Sequence, residues 1–264
     1  MSMKRAVREV FGFFFSIGRR TGKTRVFALL ALIPFALAVV GRIFLHGRTG
    51  DMAAVFTEIL RVFFLQFYIV ILSLFYGTSV TAEEVEGRTL SFLITRPIPK
   101  PAIVLGKYSA YALLMTLMVA VSLALSYFVL NAGRLAQPSL YLTFLRYLGV
   151  LVLGILAYTA FFAFLGAFLK KAIILGLIFG FGWENVIQYF PGSTQNFSLV
   201  HYLKSLLPYR PMGTGSGGRG VALLLFRLEP TPPLVAVLML AAIAGAFLAL
   251  ACWVFRTKEY LYEE

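Results

Sequence analysis

Cysteine occurs once, at Cys252 within a long apolar run, so neither a disulfide framework nor a thiolate metal cluster is available. Histidine occurs only at His46 and His201, in separate segments, too isolated from each other to make a metal site. Acidic residues are scarce as well: 11 Asp and Glu stand against 24 Lys and Arg, giving a net charge of +13. Charged residues of both signs make up 13% of the chain, against roughly 25% in soluble domains. The positive excess does not gather into a basic domain of its own. Nucleic-acid binding is therefore not expected, and membrane topology together with anionic lipid accounts for the charge. Hydrophobic residues fill the space instead, at 60% with a mean hydropathy of +0.86.

Six stretches are long enough to cross a hydrocarbon core of about 30 Å, which takes on the order of 20 helical residues. They lie near 26–45, 59–81, 103–130, 142–169, 172–190 and 233–255. The segments Tyr108 to Leu130, Tyr147 to Leu169 and Leu234 to Phe255 carry no charged residue. Lipid cannot satisfy exposed backbone amides, and the alternating pattern of a strand barrel is missing, so the spans read as helices. The first apolar stretch has no small-residue cleavage site after it and is expected to be a retained span. Lys and Arg set the orientation. Fifteen of the 24 fall before the first span or in alternate loops counted from it, including Lys4, Arg5, Arg8, Arg19, Arg20, Lys23 and Arg25. This bias places both termini and the 82–107 loop in the cytoplasm. The fold class is thus an all-α integral membrane domain over 1–264, with an outer loop at 191–232.

The amino-terminal segment 1–25 is amphipathic. Val7, Val10, Phe11 and Phe14 recur at helical spacing, with Lys4, Arg5 and Arg8 on the other side. A helix of this kind is expected to lie along the inner leaflet with its rings in the acyl boundary, as an anchor or as part of a docking surface. Gly18 to Thr24 reads GRRTGKT, close to the phosphate-binding pattern GxxxxGK[ST]. Its glycines are one residue too close, no strand precedes it, and it runs straight into a span, so nucleotide binding is not expected there.

The 82–107 loop is the most distinctive segment. Glu83, Glu84 and Glu86 are three of only 11 acids, and they follow the second span where a helix C-terminus disfavours negative charge. Gly87 permits a break. Leu90, Leu93 and Ile94 then form an i, i+3, i+4 apolar face on a short helix, which Pro97, Pro99 and Pro101 end and stiffen. Such an element suits insertion into a partner's groove. A solvated connector with interfacial leucines has the same pattern, and the residues alone leave both readings open.

From Glu83 to Lys107 the chain reads EEVEGRTLSFLITRPIPKPAIVLGK, which resembles the pattern EExExGTLxxLLxxPIxRxxIxxGK of ATP-binding-cassette permeases of the ABC-2 type. Agreement falls at Glu83, Glu84, Glu86, Gly87, Thr89, Leu90, Leu93, Pro97, Ile98, Lys100, Ile103, Gly106 and Lys107; Arg88 is an insertion, and Ile94 replaces a common leucine. The six-span layout, the basic amino-terminal helix and the long outer loop before the last span are similar to the family as well. This resemblance implies a coupling helix at 82–102 that sits in a cleft of a cytoplasmic ATPase. Its contacts would be Glu83, Glu84, Glu86, Gly87, Thr89, Leu90, Leu93, Pro97, Lys100 and Lys107. It also implies two permease copies, as a homodimer, two separate ATPase subunits that hold ATP and Mg, and no catalytic site or cofactor in this chain. The expected setting is the cytoplasmic (inner) membrane of a prokaryote, and the expected activity is export.

Glu184 is the one acid well inside a span, about 18 Å along the fifth at 1.5 Å per residue. An intramembrane carboxylate is costly, and Glu184 with Asn185 is a candidate for the transport pathway. Asn185, Gln188, Arg146 and Arg42 are its expected partners. The favoured alternative places Glu184 at the outer interface beside Trp183, in a short or broken span. Pro34 is expected to kink the first span. Residues 198–207 are expected to form an interfacial helix, within a loop that lids the exit, meets a periplasmic or extracellular partner, or rests on the membrane. A non-transporting scaffold and an ATP-independent secondary transporter remain as the alternative functions.

Overall fold

A computed structural model describes residues 2–44, 49–86, 99–169, 171–187, 193–207 and 231–257. Regular structure among them is helical throughout. We label the helices α1 (Met3–Arg20), α2 (Gly22–Phe44), α3 (Val55–Ala82), α4 (Lys100–Leu130), α5 (Pro138–Phe168), α6 (Ala172–Ile187), α7 (Leu199–Leu206) and α8 (Pro233–Thr257). Helices α2, α3, α4, α5 and α8 are long and apolar enough to cross a membrane. Helix α6, the fifth expected span, is shorter, about 24 Å at 1.5 Å rise.

Helix α3 is the centre of the bundle. Leu60, Phe64, Leu65, Tyr68, Ile69, Leu72 and Leu74 are fully enclosed. Its helical turns continue on both sides, from Thr49 and on to Glu86. The most extensive pairing is between α3 and α5, and small residues allow it. At Gly77 an added Cβ would lie 2.8 Å from Phe162 Cβ and 3.0 Å from the Thr159 carbonyl, so the two backbones nearly touch. Thr81 Oγ1 donates to the Ala163 carbonyl at 2.9 Å, which stitches the same pair where no water competes.

Proline explains the break in α2. Its first part ends at Leu30, four residues before Pro34, where the ring removes the backbone donor and crowds the preceding turn. Ser122 Oγ on α4 donates to the Ala31 carbonyl at 2.6 Å at this break. Helix α4 begins at Lys100, a turn earlier than the sequence suggests, because Pro99 and Pro101 fit a first turn whose amides need no internal partner.

The apolar stripe of α1 is turned towards the bundle. Ala6, Val10 and Gly18 are buried, and α1 packs along α4. Gly106 provides the notch: a Cβ there would sit 2.6 Å from Val10 Cγ1. Phe13 (60% exposed) and Ile17 (44% exposed) remain on the open side of α1.

Candidate functional site

Two polar clusters interrupt the apolar bundle. The first lies at the end where α1 and the start of α2 meet the end of α3 and the start of α4. Lys107 is 1% exposed, with its Nζ donating to the Ser79 carbonyl at 3.2 Å and lying 4.5 Å from the Phe14 ring centroid. One ammonium thereby joins α1, α3 and α4, through a hydrogen bond and a cation–π contact that burial strengthens. Lys23 Nζ donates to Ser79 Oγ at 3.4 Å. Thr24 Oγ1 donates to the Gly18 carbonyl and lies 2.6 Å from the Tyr76 hydroxyl. The residues that mimic a phosphate loop therefore serve to fasten α1 and α2 to the bundle.

The expected coupling residues meet this cluster unevenly. The backbones of Glu83, Glu84 and Glu86 close the helix that continues α3. Gly87, Thr89, Leu90, Leu93 and Pro97 lie outside the described residues. Lys100 opens α4 and is half-buried. Lys107 turns inward and is enclosed. Ser79, Lys23, Thr24 and Tyr76 were not legible as partners, since 28 and 56 positions separate Ser79 from its two lysines.

The second cluster joins α6, α3 and α7. Glu184 is 1% exposed. Ser198 Oγ donates to its Oε2 at 2.5 Å, the Leu199 amide to Oε1 at 3.1 Å and the Val200 amide to Oε2 at 3.3 Å. The carboxylate thus satisfies the orphan donors at the start of α7, at the positive end of its dipole. Ser198 Oγ in turn accepts from the His201 amide at 3.3 Å, the ordinary N-cap bond. The buried Tyr158 hydroxyl lies within interaction range of the carboxylate and makes no hydrogen bond of normal geometry. The contacts expected for Glu184 with Arg146 or Arg42 are replaced by these. Arg42 instead donates to the Val129 carbonyl at 2.6 Å.

Asn185 points elsewhere. Gln66 Nε2 donates to its Oδ1 at 3.2 Å, and its own Nδ2 donates to the Phe181 carbonyl at 2.9 Å. Gln66 and Phe181 both lie in π-helical segments, Ile59–Tyr68 and Ile178–Trp183, and Phe67 and Phe181 are 5.9 Å apart. A π-turn widens a helix and often marks a functional position. Trp183 is half-exposed beside this cluster.

Helix α7 forms where the sequence suggests, but its apolar face is buried against α5 rather than lying free. A Cβ at Gly154 would meet Leu203 Cδ1 at 3.0 Å. Half-buried Lys204 is pulled down to about 8, chiefly by burial and secondly by the Arg61 charge, with Glu184 and Glu58 opposing. Burial also lowers His201, helped by Lys204.

A family model described as ABC-2 family transporter protein matches residues 10–260. The chain belongs to that family. No curated protein matches it. As an ABC-2 permease it is a transmembrane subunit of an ABC transporter, and ATP-binding subunits are its partners. The match runs from within α1 to beyond α8 and includes both polar clusters.

Proposed function

We propose that this permease is the membrane half of an ATP-driven exporter, built as a homodimer on two separate ATPase subunits that hold ATP and Mg. The observation that carries this reading is the setting of the 83–107 segment. It leaves the central helix α3 and enters α4 beside the Lys107, Ser79 and Lys23 node, where four helical ends are fastened together. A push on a short helix held there moves α1, α3 and α4 as a unit. The conformational equilibrium of the bundle then responds to nucleotide on the partner, as coupling between two sites requires.

In this reading the chain crosses the inner membrane of a prokaryote six times, with α6 as the fifth crossing and both termini in the cytoplasm. Residues 82–102 form the coupling segment. Asn185, paired with Gln66, lines the pathway, while Glu184 holds α7 beside it. The 191–232 segment lies outside, where it meets exported material or an extracytoplasmic partner.

Co-purification with a P-loop ATPase, followed by transport in vesicles, tests the proposal. Glu84→Lys and Gly87→Pro are expected to weaken ATPase association and abolish transport. Unchanged association and transport in both variants would overturn the coupling assignment. ATPase stimulation by a transported molecule separates a transporter from a scaffold. Transport without any ATPase would instead support a secondary transporter.

A further inference from the structure

At the end of the bundle remote from α1, helices α3, α4 and α5 enclose a cavity of about 290 Å³. Its floor is aromatic. Phe56 and Tyr127 are 4.8 Å apart, Phe56 and Tyr147 5.5 Å, and Tyr127 and Tyr147 6.0 Å. Polar groups stand on the wall: Asn131, Thr143 and Arg146. Asn131 uses one amide hydrogen on the Tyr127 carbonyl at 2.9 Å, and an amide has two. Arg146 brings a planar fork of five donors and has no ion pair among the described residues.

The sign of charge decides what class of ligand fits. An aromatic cage suits a quaternary ammonium only where no cation stands beside it. Among the described residues the lining includes a guanidinium and no carboxylate. Arg146 matches a phosphate or carboxylate, and phosphate suits its fork in two parallel bonds.

Position decides the source. Helix α5 has 31 residues, about 46 Å, and overhangs a core of about 30 Å by roughly 8 Å at each end. Arg146 lies eight residues beyond Pro138, about 12 Å along, and so a few ångströms inside the hydrocarbon boundary. Leu142 is 69% exposed and Leu145 59%, so the surface of α5 between Arg146 and the nearer helix end is apolar. An arginine at this depth needs an anion or the interface within reach of its stem.

We propose that this cavity is a phospholipid site for the leaflet remote from α1, with Arg146 and Asn131 binding the phosphate. The glycerol backbone rests on the Phe56, Tyr127 and Tyr147 rings, and the acyl chains run from there along α5 towards the bilayer centre. The site is separate from the coupling segment and from the Asn185 and Gln66 pair.

Native mass spectrometry of the full-length protein in a non-ionic detergent tests the assignment, with short-chain dihexanoyl phosphatidylglycerol, uncharged dihexanoylglycerol and inorganic phosphate as probes. Phosphatidylglycerol is expected to bind best. Arg146→Gln should weaken it by about tenfold or more, and Arg146→Lys by less, because an ammonium keeps the charge and loses the fork. Ala53→Leu, which fills the cavity without touching the charge, should also weaken it. Equal binding of dihexanoylglycerol, or full binding by both Arg146→Gln and Ala53→Leu, would overturn the proposal. Inorganic phosphate binding as tightly as the lipid would overturn the lipid assignment in favour of a solute-anion site.

Discussion

Glu184 and Ser198 are joined by a 2.5 Å hydrogen bond between the end of α6 and the N-cap of α7, with the carboxylate enclosed. Removing the carboxylate in Glu184→Ala leaves the Ser198 hydroxyl and two backbone amides without their acceptor. Each unsatisfied buried group costs about 1–3 kcal/mol. Glu184→Gln keeps acceptor oxygen and side-chain volume, so its loss should be smaller. Thermal unfolding in detergent is expected to rank wild type above Glu184→Gln and Glu184→Gln above Glu184→Ala. The opposite order would show that the carboxylate is a burden on the fold, retained for transport.

Lys204 gives a pH dependence of definite sign. Its folded-state value, about 8, lies below the ordinary lysine value of 10.5. Between these two values the unfolded chain binds the extra proton, so stability rises as pH increases through that window. Below about 8 both states are charged and the full penalty applies, at most about 3 kcal/mol. The apparent Tm of the wild type should therefore climb from pH 7.5 to 9.5. Lys204→Met should be more stable at pH 7.5 and should lose most of that slope. Parallel profiles for the two proteins would exclude this role.

Gly106 and Val10 predict how α1 is held. The Cβ of Gly106→Ala would lie 2.6 Å from Val10 Cγ1, 2.7 Å from its Cβ and 3.1 Å from the Val7 carbonyl. Two of these contacts are within or beside backbone, so α1 must move away, at a cost of about 1–3 kcal/mol. Cleavage by trypsin after Arg19, Arg20 or Lys23 should then be faster than in the wild type. Adding Val10→Ala should restore resistance only in part, because it removes Cγ1, the nearest atom, and leaves the Cβ and Val7 carbonyl contacts. If cleavage is unchanged in Gly106→Ala, α1 is held by other contacts.

Long-range partners, rather than elements, separate what the sequence revealed from what it concealed. The apolar runs and their lengths follow from hydrophobicity alone, and so do the amphipathic stripe of α1 and the break near Pro34. Lys107 was legible as part of the family pattern, but the Ser79 carbonyl and the Phe14 ring that enclose it belong to distant turns. Glu184 was legible as an anomaly. Its expected partners were the amides Asn185 and Gln188 and the cations Arg146 and Arg42, whereas the Ser198 hydroxyl and the amides opening α7 satisfy it across a loop, which no periodicity encodes. Two π-helical segments also shift side-chain phase within α3 and α6, and this brings Gln66 to Asn185 where a regular 3.6-residue repeat gives no sign of it.

The Gln66 and Asn185 pair allows stability and transport to be separated. Interhelical hydrogen bonds inside membranes contribute only about 0.6 kcal/mol on average, because the unfolded helices find other partners in lipid. Gln66→Leu and Asn185→Leu should each change Tm little, and a double-mutant cycle on stability should give a coupling energy below about 1 kcal/mol. If the pair lines the route of a polar substrate, transport should fall much further than stability in either single variant, since each replaces a polar side chain by apolar surface. ATPase association, read by co-purification, should be unaffected, because Gln66 precedes the proposed coupling segment at 82–102 by 16 residues along the chain. Intact transport in both variants would remove α3 and α6 from the pathway, and a joint loss of stability and transport would reduce the pair to a structural contact.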